Sequence, residues 1–192
     1  MTLLQIMPET APETVRVRTE DLEIIRKELL RIGVRFERWH AARRLPANAD
    51  DTAVMNAYRS HIDHVSAESG YPVVDIVRIT PASTAENPPQ HIRPAYEKYA
   101  EEHQHDEDVV RFLVSGAACF YLHVAGQVLA VLCTAGDLLS LPGRTTHWFD
   151  AGAHPSYTAI RFSPEGAARA VLFPPTSIAA RFPTFDEIVA KA

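Results

Sequence analysis

The sequence contains few of the features that mark secreted, membrane or nucleic-acid-binding proteins. It has only two cysteines, Cys119 and Cys133, which are too few for a disulfide framework and lie in apolar runs, so we expect buried thiols. No apolar run approaches the roughly 18–20 residues that span a bilayer. Residues 1–21 lack the basic and apolar regions of a signal peptide. Lysine and arginine form no cluster interleaved with aromatic residues, and the formal net charge is -5, which disfavours nucleic acid as a partner. We therefore expect a cytoplasmic protein.

The length and composition are typical of one globular domain. The chain has 192 residues, of which 46% are hydrophobic and 22% are charged. We predict a single domain over residues 1–192, without internal repeats. Its N-terminal helical portion covers about residues 19–70, a barrel covers about 73–163, and a C-terminal segment, 164–192, wraps the barrel.

Two apolar stripes with helical spacing lie in the N-terminal third. The first predicts a helix that begins after Thr19 as N-cap and ends at Gly33. The second predicts a helix that begins after Asp51 and ends at Gly70. The apolar positions are Leu22, Ile25, Leu29 and Ile32 in the first helix, and Val54, Tyr58, Ile62 and Val65 in the second.

Short apolar segments separated by glycine turns fill the rest of the chain. The predicted strands are Val34–Trp39, Val73–Ile79, Val109–Val114, Ala118–Val124, Val128–Cys133, Leu138–Leu141, His147–Phe149 and Tyr157–Phe162. A turn at Ser115-Gly116 separates the third and fourth of them, residues 1–18 contain a candidate edge strand, and a short helix is predicted near Phe185–Ala190. The proline-rich stretch that contains Pro81 and Pro94 is predicted to be a loop. This spacing is typical of an antiparallel sandwich or barrel, here with two helices packed on it.

Three histidines form the strongest chemical motif. His103 and His105 lie two residues apart just before a predicted strand, so their side chains point the same way. His147 follows His105 by 42 residues, a separation that can bring a later antiparallel strand alongside. Three neutral imidazoles on rigid strands would hold a divalent first-row metal and leave positions open for substrate or oxygen.

The other histidines have no such context. His61 and His64 are three residues apart on a predicted helix, and a solvated helix face explains them better than a metal site. The remaining four are His40, His91, His123 and His154.

Several longer motifs resemble those of the acireductone dioxygenase family. They are GVRFERWHA (33–41), ESGY (68–71), EEHQHDEDVVRFLVSG (101–116), GDLLSLPGRTTHWFDAG (136–152), AIRFSPEG (159–166) and IAARFP (178–183). The resemblance extends from about residue 16 to 187.

The resemblance implies a mainly β cupin fold, a double-stranded β-helix or jelly-roll barrel, with N-terminal helices. It implies one bound metal, iron(II) first and nickel(II) or another first-row metal as alternatives, and oxygen-dependent cleavage of an ene-diol in methionine salvage. The family's histidine ligands fall on His103, His105 and His147. Its active-site arginine falls on Arg111, and a nearby aromatic residue falls on Tyr99.

The match fails at the fourth metal ligand. The family pattern places a glutamate four residues after the second histidine, and this chain has Val109 there. Glu107 would replace it only if the strand bulges. Two further departures concern the pocket: Ala167 follows the PEG motif where the family has tryptophan, and Arg144 replaces a glycine. A solvated turn explains Arg144 better than a role at the pocket mouth.

Four functions remain open at this point. The first is a metal-dependent oxygenase that oxidises a small metal-chelating substrate with dioxygen at a modified three-histidine centre. The second is ordinary acireductone dioxygenase activity despite Val109. The third is a non-catalytic cupin that binds a small ligand, and the fourth is an oxygen-independent isomerase or lyase. None of them involves nucleic acid or a membrane.

Overall fold

The structure, a computed structural model, describes residues 1–41, 45–46, 48–79, 99–165 and 171–191. These residues contain nine strands and four α-helices. The strands are β1 (Leu3–Pro8), β2 (Val17–Thr19), β3 (Arg35–Arg38), β4 (Val73–Ile79), β5 (Val109–Val124), β6 (Gln127–Thr134), β7 (Asp137–Leu141), β8 (Thr146–Asp150) and β9 (Tyr157–Ser163). The helices are α1 (Leu22–Leu30), α2 (Asp51–Ala57), α3 (Arg59–Ser69) and α4 (Phe185–Ala190), and a 3-10 turn covers Ala179–Arg181.

The strands form two antiparallel layers that share β5. The N-terminal half of β5 pairs with β7 and β9, which pair in turn with β3 and β4. Its C-terminal half pairs with β6 and β8, and β6 continues to β1 and β2. A strand that passes from one layer to the other closes one side of the barrel and reduces exposed sheet edge.

Gly116 marks the bend at which β5 changes layers. The register shifts between Leu113 and Ser115, and Gly116 has a φ of 76°. A Cβ atom at Gly116 would lie 2.0 Å from the Ser156 carbonyl oxygen, so only glycine permits this approach. The predicted turn at Ser115-Gly116 is therefore wrong, because the same glycine bends a continuous strand.

The interior between the layers is apolar, and helix α1 covers one end of it through Ile25 and Leu29. Both layers contribute, with Leu4, Ile6, Phe120, Leu122, Leu129 and Val131 from one and Phe36, Val109, Leu113, Leu139, Leu141 and Ala159 from the other. Burial of these side chains is the main force that holds the layers together.

Each outer face is covered by a different segment. Helices α2 and α3 cover the layer with β7 and β9, where Tyr58 packs edge-on against Phe112 with ring centroids 4.6 Å apart. The C-terminal segment covers the layer with β6 and β8 through Ala179, Phe182 and Ile188. The barrel thus has three buried apolar regions: the interior between the layers and the outer face of each layer. Of these, the interior can form a pocket at its open end.

Several local predictions are wrong by a few residues. Thr19 ends β2 and Asp21 caps α1, because the Asp21 carboxylate accepts from the backbone of two first-turn residues. The helical residues of α1 end at Leu30, but Gly33 closes the helix as predicted: its φ is 75°, its N–H donates to the Leu30 carbonyl at 3.0 Å, and the Val34 N–H donates to the Leu29 carbonyl at 3.0 Å. Asp50, not Asp51, caps α2. The single predicted second helix is two helices, broken at Tyr58 where φ is −113°.

The candidate edge strand near the N-terminus lies inside its sheet. Strand β1 pairs with β2 on one side and β6 on the other, and all six of its residues are buried. The predicted loop around Pro81 and Pro94 lies outside the described residues.

Other predictions are confirmed. Strand Val73–Ile79 and helix Phe185–Ala190 match their predicted bounds, and Gly70 caps α3 with a φ of 69°. Cys119 and Cys133 are buried free thiols, and burial raises the pKa of both. Of the described helices, none is long and apolar enough to cross a bilayer.

Candidate metal centre

Backbone pairing brings the three predicted histidines together. His147 lies in β8 and is paired with Leu122 of β5. On its other side, the His147 and His103 backbones exchange two hydrogen bonds, with N···O distances of 2.9 and 3.0 Å. Residues paired in this way project their side chains to the same face. His105 reaches that face as well because it lies two residues beyond His103.

The three imidazoles are buried and close to one another. Their relative exposures are 1% for His103, 5% for His105 and 3% for His147. The ring centroids are 4.3 Å apart for His103 and His147, 5.1 Å for His103 and His105, and 5.5 Å for His105 and His147. One nitrogen from each ring lies within 4.8 Å of the others, a separation that a single metal ion can bridge.

Backbone carbonyls orient two of the rings. The Nδ1 atom of His103 lies 2.7 Å from the Glu101 oxygen, and that of His147 lies 2.8 Å from the Thr145 oxygen. Because a carbonyl only accepts, each Nδ1 carries the proton and each Nε2 keeps its lone pair for a metal.

The electrostatics keep His147 neutral. Burial lowers its pKa to about 3, with further lowering by His103, His105 and Arg111, and the Thr145 carbonyl offsets this only in part. A neutral imidazole is the form that binds a metal. The donor set, burial and ring orientation therefore fit a divalent transition metal.

No carboxylate of the described residues joins the three histidines. Val109 occupies the position where the resemblance leads us to expect a glutamate, and its buried side chain lines the cavity beside the rings. Glu107 is not part of the group, although its Oε2 atom is buried and has no hydrogen-bond partner.

A cavity of about 360 Å³ opens from the histidines into the barrel. Its polar lining includes Tyr99 and Arg111, and sequence reasoning had selected both. Tyr99 lies beside His103, with ring centroids 5.1 Å apart. The apolar walls include Ile76, Ile79, Leu113, Phe120, Phe149 and Ala159.

Strand alternation explains why Arg111 faces this cavity. Val109, Arg111 and Leu113 line it, whereas Val110 and Phe112 point to the opposite face and pack under α2 and α3. One Arg111 Nη atom donates to the Val110 carbonyl at 2.9 Å. The guanidinium is near enough to the histidines to lower the pKa of His147.

Sequence reasoning missed Arg78, which also lines the cavity, and a third cavity arginine, Arg161. Arg161 lies directly opposite Arg111 in the β5–β9 register and opposite Asp75 in the β4–β9 register. Its Nε atom lies 2.7 Å from an Asp75 carboxylate oxygen, and this ion pair raises the pKa of Arg161. Its place inside AIRFSPEG was visible in the sequence, but the register that puts it opposite Arg111 was not.

A hydrogen-bonded chain of Glu9, His123 and Glu102 supports the segment that carries His103. Buried Glu102 accepts from His123 Nδ1 at 2.7 Å and from the Ile178 backbone N–H at 2.8 Å, and the other His123 nitrogen lies 2.9 Å from Glu9. Burial alone would lower the pKa of His123, but its hydrogen bonds to Glu9 and Glu102 outweigh burial and raise it. The sequence had shown no context for His123.

The remaining candidates lie elsewhere. Arg144 is an exposed turn residue 3.2 Å from Asp106, and its φ of 64° accounts for the glycine that the family has there. His61 stacks on Trp39 with ring centroids 4.7 Å apart, and His64 lies near Glu68 on the helix surface. Ala167 lies outside the described residues.

Comparisons with known proteins agree with this geometry. A model of the ARD/ARD′ family matches residues 4–167. The chain is 44% identical to the acireductone dioxygenase of Saccharopolyspora erythraea over 191 residues, which cover 100% of both chains. It is 42% identical to acireductone dioxygenase 1 of Nocardia farcinica, covering 98% of this chain and 100% of the relative. It is 45% identical to the acireductone dioxygenase of Parvibaculum lavamentivorans, covering 97% and 98%.

A solved structure matches the fold as well. The acireductone dioxygenase of Bacillus anthracis, solved with a cadmium ion in its active centre, superposes with a TM-score of 0.73. The match covers 88% of this chain and 98% of that one, at 24% sequence identity. This likeness confirms the expected cupin-type, mainly β fold.

Proposed function

The chain belongs to the acireductone dioxygenase (ARD/ARD′) family, and from that membership we propose that it is a metal-dependent dioxygenase that oxidises an acireductone-type ene-diol. One observation carries the proposal: the three clustered histidines and Arg111 line the same cavity. Binding of a small chelating substrate requires this combination of metal donors, a nearby cation and apolar walls.

We assign the metal to His103, His105 and His147, with iron(II) as the first choice and nickel(II) as the second. Imidazole nitrogens suit both ions, and the neutral state of His147 supports metal binding at physiological pH. When bound, the metal supplies a Lewis-acidic centre that accepts adjacent substrate oxygens and leaves room for dioxygen.

The protein's own residues bind and orient the substrate. Arg111 stabilises the ene-diolate anion because it lines the same cavity as the histidines. Tyr99 closes the cavity beside His103 and supplies a hydroxyl for a hydrogen bond. The apolar walls, among them Phe120 and Phe149, exclude water from the reacting atoms. We further propose a cytoplasmic location, which the two reduced, buried thiols support.

The decisive experiment combines metal analysis with oxygen uptake. Protein purified without oxygen and reconstituted with iron(II) or nickel(II) is mixed with an acireductone, and its ultraviolet absorbance and dissolved oxygen are followed together. We expect both signals to fall at matching rates. His103→Ala should lose the metal and both signals, whereas His61→Ala, on the outer helix, should keep them.

Each alternative function predicts a different outcome. A loaded enzyme that consumes acireductone without oxygen would be an isomerase or lyase. Stoichiometric metal with no turnover of any ene-diol would leave a ligand-binding cupin, and oxygen uptake only with another chelating substrate would mean that the specificity has changed.

A further inference from the structure

The side chain at position 109 faces the three histidines but offers no atom that can bind a metal. Val109 is buried and lines the cavity together with His103, His105 and His147. It lies two residues before Arg111 on β5, so strand alternation places both side chains on one face, and both line the cavity that His105 also lines. The protein therefore presents an apolar surface at the position where the family pattern has an anion.

This change alters the charge of the centre. Three neutral imidazoles leave the full double positive charge of a divalent ion uncompensated. Arg111 adds another positive charge, because it lines the same cavity as the three histidines. At short range inside a protein, two unit charges interact far more strongly than they do in water. A buried centre with this excess of positive charge favours an anion from solution.

Two described carboxylates near the centre, Glu102 and Asp75, are already engaged. Glu102, the neighbour of His103, accepts from His123 and from the Ile178 backbone at 2.7 and 2.8 Å. Asp75 binds Arg161. Glu107 has a buried oxygen without a hydrogen-bond partner, but it does not join the histidine group. It is therefore an internal competitor that an experiment has to test.

We propose that Val109 and Arg111 form a subsite for a small monovalent anion beside the metal, and that this anion takes the place of the family's glutamate. The ligand class is a halide or a pseudohalide such as azide, because the site combines a metal cation, a guanidinium and an apolar wall of limited size. The proposal rests on the proposed three-histidine metal centre.

The test is an anion titration of cobalt(II)-loaded protein in a chloride-free buffer, followed by visible absorption. Cobalt content is measured first, so that metal binding and anion binding are read separately. We expect sodium azide and sodium chloride each to give a saturable spectral change. Val109→Glu should raise the apparent dissociation constant for azide by about tenfold or more, because its carboxylate supplies the missing charge. The same variant should bind cobalt more tightly.

Two matched variants separate charge from packing. Val109→Ala also lacks a ligand atom and leaves the charge of the centre unchanged, so a saturable azide response should persist, with an affinity altered only by the smaller wall. Glu107→Gln removes the internal competitor and should leave the azide dissociation constant unchanged.

Several results would overturn the proposal. The first would be the absence of any azide response in the cobalt-loaded wild type. The second would be the same azide dissociation constant in Val109→Glu as in the wild type. Loss of the response in Val109→Ala would assign it to packing, and tighter azide binding in Glu107→Gln would show that Glu107 already neutralises the centre. Failure of the wild type to bind cobalt at all would instead reject the metal centre itself, and with it the proposed function.

Discussion

At the scale of single residues, the centre depends on which imidazole nitrogen carries the proton. The Glu101 and Thr145 carbonyls accept from the Nδ1 atoms of His103 and His147, so each Nε2 lone pair is available to a metal. Both carbonyls belong to residues two positions before the histidine that they orient. The orientation is therefore part of the local backbone conformation and does not require a distant side chain.

Replacing Arg111 with methionine should lower kcat for the ene-diol by about 100-fold, the effect typical of removing a charge that stabilises an anion. The metal content should stay at the wild-type level, because Arg111 is not assigned as a ligand. Steady-state oxygen uptake and metal analysis on the same preparation measure both. Arg144→Met, which removes an exposed arginine outside the cavity lining, should behave as the wild type. Equal kinetics in the two variants would remove Arg111 from the reaction.

The metal-free protein should lose stability as the pH falls below neutrality, in part through His147. The folded state keeps the pKa of His147 near 3, whereas an unfolded histidine titrates near 6.5. Below about pH 6.5 the unfolded chain therefore binds more protons, and the free energy of unfolding decreases.

Urea unfolding of metal-free protein at about pH 7.5 and about pH 5 measures this contribution. The decrease should be smaller in His147→Gln than in the wild type, by on the order of 1–2 kcal/mol. Identical decreases in the two proteins would mean that His147 does not resist protonation in the fold.

At the scale of elements, β5 organises the whole fold. It pairs with four strands, two along each half, and it carries Val109 and Arg111 into the cavity. The bend at Gly116 allows one strand to serve both layers. The site is therefore built on a rigid element whose direction depends on a single glycine.

Gly116→Ala should cost about 2–4 kcal/mol of unfolding free energy, since it combines an unfavourable φ with a backbone collision. The added Cβ would lie 2.0 Å from the Ser156 oxygen and 2.8 Å from the Tyr157 Cα atom. Gly70→Ala is the matched control, because Gly70 has a similar φ of 69° but no neighbour within 4 Å. It should cost about 1 kcal/mol. Urea unfolding of both variants decides the comparison, and equal losses would contradict the steric role of Gly116.

At the scale of the whole molecule, a metal would link segments that are distant in sequence. His103 and His105 precede β5, His147 lies in β8, and the residues between them form β5 to β7. A ligand that binds only this assembled state stabilises the folded chain by mass action. Metal binding is therefore expected to be visible in global stability as well as in catalysis.

Loading with iron(II), nickel(II) or cobalt(II) at about 100 times the dissociation constant should raise the Tm by about 5–10 °C. His103→Ala should show no such increase, and His61→Ala should show all of it. Differential scanning calorimetry with and without a chelator provides the measurement. An equal increase in His103→Ala would place the bound metal outside the three-histidine cluster.

Features that depend on local periodicity and on short motifs could be predicted from the sequence. Alternating apolar residues predicted most of the strands, and the helical stripe before Gly70 predicted the helical region. The His103–His105 pair required only the two-residue repeat of an extended chain. The longer motifs identified the family, which full-length relatives at 42–45% identity then confirmed.

Features that depend on strand register became visible only in the folded chain. The hydrogen-bonded pairing of His103 with His147, the place of Arg161 opposite Arg111, and the interior position of β1 all join segments far apart in the chain. Register between distant strands is set by how their side chains pack together, and a residue's immediate neighbours carry little information about it. For the same reason Gly116 was predicted to be a turn. A glycine permits both a turn and a bend, and the packing of Ser156 and Tyr157 against it selected the bend.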